Sequence, residues 1–108
     1  MAQDFERDLQ RNVGKSPVTL RTANSDDACI GIRVANVTAS TVKVSVYITN
    51  GGNDYYLQKT TSIPSESALE LIDGGSKIIL MNGDVLKAVS DTASSLDIVS
   101  SFVDTISE

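Results

Sequence analysis

The chain of 108 residues has no histidine, no tryptophan, one cysteine and two prolines. Without an imidazole there is no side chain whose ordinary pKa suits general base work near neutral pH, and no nitrogen ligand for zinc or copper. Cys29 alone rules out an intrachain disulfide framework and a multi-cysteine metal site. Cations are also few, nine Lys and Arg against fourteen Asp and Glu, for a net charge of −5. They are scattered, and those near the N-terminus alternate with Asp4, Glu6 and Asp8, so no basic patch for nucleic acid forms. No apolar run approaches the ~20 residues of a membrane-spanning helix. The start, Met1-Ala2-Gln3-Asp4-Phe5-Glu6, has neither a basic nor an apolar signal region, which leads us to expect a cytosolic origin.

What the sequence does hold is β-branched residues: eleven Val, nine Ile and nine Thr, with fourteen Ser beside them. Their restricted χ1 torsions favour pleated strands. Residues 42–48, Val-Lys-Val-Ser-Val-Tyr-Ile, alternate most clearly, with Val42, Val44, Val46 and Ile48 turned to a core. Residues 29–35 repeat the pattern, with Ile30, Ile32 and Val34 inward, and the short link to residue 42 predicts a hairpin between the two segments. Asn50-Gly51-Gly52-Asn53-Asp54 is a strong turn signal, after which 55–60 returns as a strand. Further strands are expected at 18–23, 68–72, 77–81, 85–89 and 96–103, with Asn82-Gly83-Asp84 as a hairpin-type turn. Eight strands at this spacing predict an all-β fold, an antiparallel two-sheet β-sandwich of jelly-roll or immunoglobulin-like type over residues 16–108.

Residues 1–15 differ in composition. Phe5, Leu9 and Val13 stand four apart and predict a narrow apolar stripe on a short amphipathic helix. So short a helix needs a surface to lie on, its own sandwich or a neighbouring subunit. The expectation is an N-terminal arm whose removal, residues 2–15, leaves a folded domain.

Candidate chemistry is sparse. None of the fourteen serines has a histidine to activate it, and no Gly-x-Ser-x-Gly elbow occurs. Ser76-Lys77 are neighbours expected on opposite faces of a strand start, and Cys29, in an apolar strand, reads as a buried inert thiol. Asp26, Asp27, Asp73, Asp84 and Asp91 are carboxylates at turns, where Asp is favoured for conformational reasons; a small hydrolase using a pair of them is a distant alternative. Asn50, Asn53 and Asp54 offer oxygens for calcium, but no Asp-x-[Asp/Asn]-x-[Asp/Asn]-Gly run accompanies them. Catalytic, cofactor and metal residues are therefore all expected to be absent. Tyr47, Tyr55 and Tyr56 cluster around one hairpin as cross-strand packing, a protein contact or a sugar platform; Tyr55 and Tyr56 face opposite sides, so at most one joins Tyr47.

Taken over Leu9 to Val103, several stretches have a familiar look: Leu9-Gln10-Arg11-Asn12-Val13-Gly14 into Ser16-Pro17-Val18-Thr19, and Ile30-Gly31-Ile32-Arg33-Val34-Ala35-Asn36-Val37-Thr38. Val44-Ser45-Val46-Tyr47-Ile48, Asp54-Tyr55-Tyr56-Leu57, Ile63-Pro64 and Asn82-Gly83-Asp84-Val85-Leu86-Lys87 follow. In these strand and turn patterns the chain resembles small virion proteins of tailed bacteriophages, especially those of cyanobacterial and marine hosts. The resemblance implies a non-enzymatic β-sandwich of the virion, assembled in the bacterial host cytoplasm. It would decorate or cement the capsid through its arm and sandwich faces, or serve as a neck, tail or baseplate accessory. The implied partners are the major capsid protein or neck and tail proteins, with many copies in a lattice or homo-oligomer and no nucleic acid or membrane. Phe5, Leu9, Val13, Tyr47, Tyr55 and Tyr56 are the expected partner-binding residues; a carbohydrate- or receptor-binding module using the tyrosines is the rival reading.

Overall fold

The computed structural model describes residues 4–23, 26–71 and 78–104. Among them the chain forms nine strands: β1 (Asp4–Val13), β2 (Val18–Thr22), β3 (Asp27–Asn36), β4 (Val42–Asn50), β5 (Asn53–Ile63), β6 (Ala68–Glu70), β7 (Ile78–Leu80), β8 (Val85–Ser90) and β9 (Leu96–Asp104). One sheet has the order β1-β9-β3-β6, with β7 also on β3; the other has the order β2-β8-β4-β5. All pairings are antiparallel. β6 and β7 lie on the same edge of β3, beside Arg33–Ala35 and Asp27–Cys29, so together they act as one interrupted strand.

Counted that way, the first strand pairs with the last, the second with the next to last, and so inward to the β4–β5 hairpin. This is one long antiparallel ribbon rolled into two sheets, the jelly roll rather than the immunoglobulin arrangement. The sandwich and its eight expected strands are present. The hairpin expected between residues 29–35 and 42–48 is not: β3 and β4 belong to different sheets, and residues 37–41 cross between them. Asn82-Gly83-Asp84 likewise carries the chain from β7 to β8 in the opposite sheet, with Gly83 at φ 97°. Alternation identifies a strand and its buried face but says nothing about which sheet holds it. The Gly51-Gly52 turn does close a hairpin, Asn50 opposite Asn53, with both glycines at positive φ as a two-residue turn of this hand requires.

The expected N-terminal helix is a strand. Residues 4–13 pair with β9 along almost its full length, from Asp4 opposite Asp104 to Val13 opposite Leu96. A spacing of four is even, so it also keeps residues on one face of a strand, and the free edge of β9 decides the outcome. A bulge between Gln10 and Val13, with Asn12 at φ 55°, then turns Val13 into the core. A second correction has the same cause. A bulge between Cys29 and Gly31 displaces Ile30 from the inward row, which runs Cys29, Ile32 and Val34 instead.

Between the sheets pack Leu20, Ile32, Val34, Val42, Val44, Val46, Ile63, Leu80, Leu86, Leu96, Ile98 and Phe102, all essentially inaccessible to solvent. Among the described residues, buried side-chain polar atoms all have hydrogen-bond partners. Asn36, at the end of β3, donates from Nδ2 to the carbonyls of Ser40, Ile63 and Pro64, and its Oδ1 accepts the Thr38 N–H. One side chain thus ties the β3–β4 crossing to the β5–β6 crossing. Asn36→Ala strands those groups and is expected to lower stability by about 2–3 kcal/mol, read as a shifted urea midpoint at unchanged slope. Cys29 is fully buried, and burial pushes its thiol up to about 11, as the sequence led us to expect of an inert cysteine. A thiol reagent at mildly alkaline pH is expected to leave the folded protein unmodified and to label it once in denaturant.

Candidate functional site

Alternate residues of β1 face opposite ways, and the two faces differ in chemistry. Glu6, Asp8 and Gln10 turn toward the sandwich, across from Phe102, Ser100 and Ile98. Arg7 and Leu9 turn outward, beside Ser101 and Val99. Polar residues on the inward side of an edge strand leave it contributing little to the core, and here an arginine meets them. Arg21 on β2, in the other sheet, reaches Glu6 at 2.6 Å and the fully buried Asp27 of β3 at 3.1 Å. Its guanidinium lies 5.0 Å over the Phe102 ring. This single cation bridges three strands at the end of the sandwich where β1 begins. Burial works against its charge, but the hydrogen bonds and charges of Glu6 and Asp27 outweigh that and raise its pKa above the ordinary value.

Asp8 stands next in the same row without a comparable gain. Burial pushes its carboxyl above the ordinary range, Arg21 draws it partly back, and Glu6 adds to the rise. With the folded-state pKa above the unfolded one, the folded chain binds more protons between the two values. Stability from this group therefore falls as pH rises through that window and stays reduced above it. Asp8→Asn is expected to raise the melting temperature at neutral pH and to make no difference at about pH 3, where Asp8 is protonated in both states.

The outer face of the five-stranded sheet carries apolar side chains in two places, separated by the Arg7–Ser101–Gly31 row, and the first place ends at the exposed Arg33–Glu70 ion pair. Leu9 and Val99 are partners, 58% and 40% exposed. Val103 pairs with Ala28, and Ala28 with the exposed Ile79. Phe5 stands opposite Val103 by backbone register; its side chain lies outside the described residues. Leu9 is thus placed for contact, Val13 is not, and the three expected arm residues do not form one stripe.

The other sheet carries the tyrosines, Tyr47 buried and Tyr55 and Tyr56 exposed. Tyr47 and Tyr56 are cross-strand partners with ring centroids 5.1 Å apart at 41°, and the Lys59 ammonium sits 4.9 Å from the Tyr56 centroid. Tyr55 is exposed on the opposite side of its strand, across from Ile48. Tyr56 therefore has a ring and an ammonium already on it, which leaves little free face for a sugar.

Of the carboxylates expected at turns, Asp27, Asp84 and Asp91 are each engaged separately, and Asp27 lies buried at the start of β3 rather than in a turn. Asp27 holds Arg21; Asp84 accepts from the Met81 N–H and from the Asn50 amide; Asp91 accepts from the Lys43 N–H. Asp54 accepts from the Thr49 hydroxyl, so Asn50 and Asp54 of the Gly-rich loop are committed to protein partners. Asp73, Ser76 and Lys77 lie outside the described residues. Among the described residues no three His, Cys, Asp or Glu side chains converge as a metal site. What sequence reasoning missed is the Arg21 bridge: Arg21, Glu6 and Asp27 are separated in sequence, and only the strand order brings them together.

Strand order defines a jelly-roll β-sandwich whose described surface carries exposed apolar and aromatic side chains. No family model and no curated protein matches the chain. Among solved structures it is similar to a pentameric capsid protein isolated from metagenomic phage sequences, in two crystal structures, one of them solved by iodide phasing. Each superposes at a TM-score of 0.50 with 16% identity over 94% of this chain. The chain spans 62% and 64% of the length of those two proteins. At this identity the likeness is one of fold.

Proposed function

We propose that this chain is a non-enzymatic structural protein of a phage particle, present in multiple copies and decorating or cementing the capsid. The observation that carries the reading is the jelly roll itself, matched over 94% of the chain by a pentameric phage capsid protein. A fold alone does not assign a role, so a second feature supports it: Leu9, Val99 and Ile79 stand exposed on the outer face of one sheet. Contacts of this kind, weak singly, act together when many copies sit side by side. Neighbouring copies and the capsid shell are the partners that such a surface fits. A neck, tail or baseplate position uses the same surfaces and differs in copy number. The exposed Tyr55 keeps a glycan- or receptor-binding reading as the second one.

Native mass spectrometry of the purified protein is expected to show a closed oligomer, and quantitative mass spectrometry of purified particles to find the chain in them. Leu9→Glu with Val99→Glu replaces two solvent-exposed side chains, so folding by circular dichroism is expected to hold. Each apolar side chain buried in a contact is worth about 1.5–3 kcal/mol, so association should weaken at least about tenfold. A chain that is monomeric and absent from particles overturns the reading; binding on a glycan array with no particle association favours the second one.

A further inference from the structure

β1 is two pieces with different attachments. Val13 is buried in the core, its carbonyl accepts the Ser95 N–H, and the Gly14 carbonyl accepts the Ser90 N–H. Gly14 lies so close to the 93–94 backbone that a Cβ there would come within 3.2 Å of the Ser94 nitrogen. Residues 13–14 are therefore fixed. Residues 4–10 are not fixed in that way: their inward side chains from Glu6 to Gln10 are polar, and no apolar residue among 6–10 enters the core. They are held by the backbone ladder to β9, the Glu6–Arg21 ion pair, the Gln10 amide donating to the Thr19 carbonyl and the Ser100 hydroxyl donating to the Asp8 carbonyl. Between the two pieces the ladder is broken by the bulge, with Arg11 and Asn12 exposed and Asn12 in the left-handed region.

From this we infer that residues 4–10 are an exchangeable strand, which in the assembled protein pairs with β9 of a second copy of the same chain. The inference rests on the multi-copy reading above and names the segment that joins the copies. Every attachment just described is made to β9 or to β2 of the same sandwich, and a second copy offers the identical β9 edge, Arg21 and Thr19 carbonyl. Exchange therefore conserves the ladder, the ion pair and the amide bond, and exposes no core residue. What changes is the path through Arg11 and Asn12, where the bulge interrupts the ladder and one bond, from the Asn12 N–H to the Asp97 carboxylate, must open or be remade. Seven extended residues reach about 23 Å, enough to run along a neighbouring sandwich. For segments conserved this way the balance is set by the local concentration of neighbours, which is high where copies are held side by side.

The register supplies the test. Arg7 stands opposite Ser101, both on the outer face in the row between Leu9–Val99 and Phe5–Val103, and antiparallel partners lie at the Cα separation a disulfide needs. Arg7→Cys and Ser101→Cys are placed on two differently tagged full-length chains, co-expressed, purified and oxidised; the buried Cys29 does not compete. The oligomer is sized by native mass spectrometry before non-reducing electrophoresis. An oligomer in which most of the disulfide joins an Arg7→Cys chain to a Ser101→Cys chain supports exchange, and the double variant on one chain should then link into covalent multimers. An oligomer in which the mixed pair stays unlinked, while the double variant closes within single chains, overturns exchange and leaves the multi-copy reading standing. A monomer at every concentration, with only the within-chain link, overturns both.

Discussion

Gly51 and Gly52 fold the chain back on itself, and from there every segment must find a partner farther away in sequence, until Asp4 lies opposite Asp104. This nested antiparallel pairing is the constraint on which the rest of the molecule depends. It fixes which strands share a sheet, and so which side chains meet in the middle. It also forces the chain to cross between sheets at every described connection except the β4–β5 hairpin and the gap between β6 and β7. Crossings expose backbone groups that no ladder satisfies, and Asn36, Asp84 and Asp91 are placed at their ends to accept or donate. Pairing partners so distant in sequence must close long loops before they gain contacts, so slow folding is intrinsic to the topology.

A two-sheet sandwich also has edges, which invite pairing with other chains. The two edges formed by long strands are treated differently. β5 is interrupted twice, where Thr60 takes a positive φ and where Leu57 is extra to the ladder, and Ser45 accepts the freed Thr60 N–H. Those bulges spoil the regular row of donors and acceptors along that edge. β1 is regular over residues 4–10 but carries Glu6, Asp8 and Gln10 on the side that faces the sandwich. Inward charge keeps an edge strand from being a generic sticky surface, because the sandwich it joins must offer a countercharge from its second sheet where Arg21 stands. The same feature makes the strand specific for its own kind of sandwich.

Much of the fold was legible along the chain. Alternation at residues 42–48, the Gly-rich turn and the regular spacing of turns gave the strands and the sandwich, because burial of one strand face writes itself into the sequence with a period of two. Four readings failed, each on a non-local cause, the hairpin-type turn at Asn82-Gly83-Asp84 among them because β7 and β8 lie in different sheets. Phe5, Leu9 and Val13 fit a helix as well as a strand, and the open edge of β9 chose the strand. Ile30 follows the alternation and is displaced from the inward row by a bulge set by its partner strand. Residues 37–41 are short enough for a hairpin yet cross to the other sheet.

By itself, then, the sequence determined the chemistry available and the elements: no imidazole, one buried thiol, β-strands at known places and a turn at Gly51-Gly52. Those follow from residue identity and local periodicity. The strand order, the Arg21 bridge between Glu6 and Asp27, and the division of β1 into a fixed end and a polar, separable length were decided only in the tertiary structure. They depend on which distant strands lie side by side, and no local pattern encodes that choice.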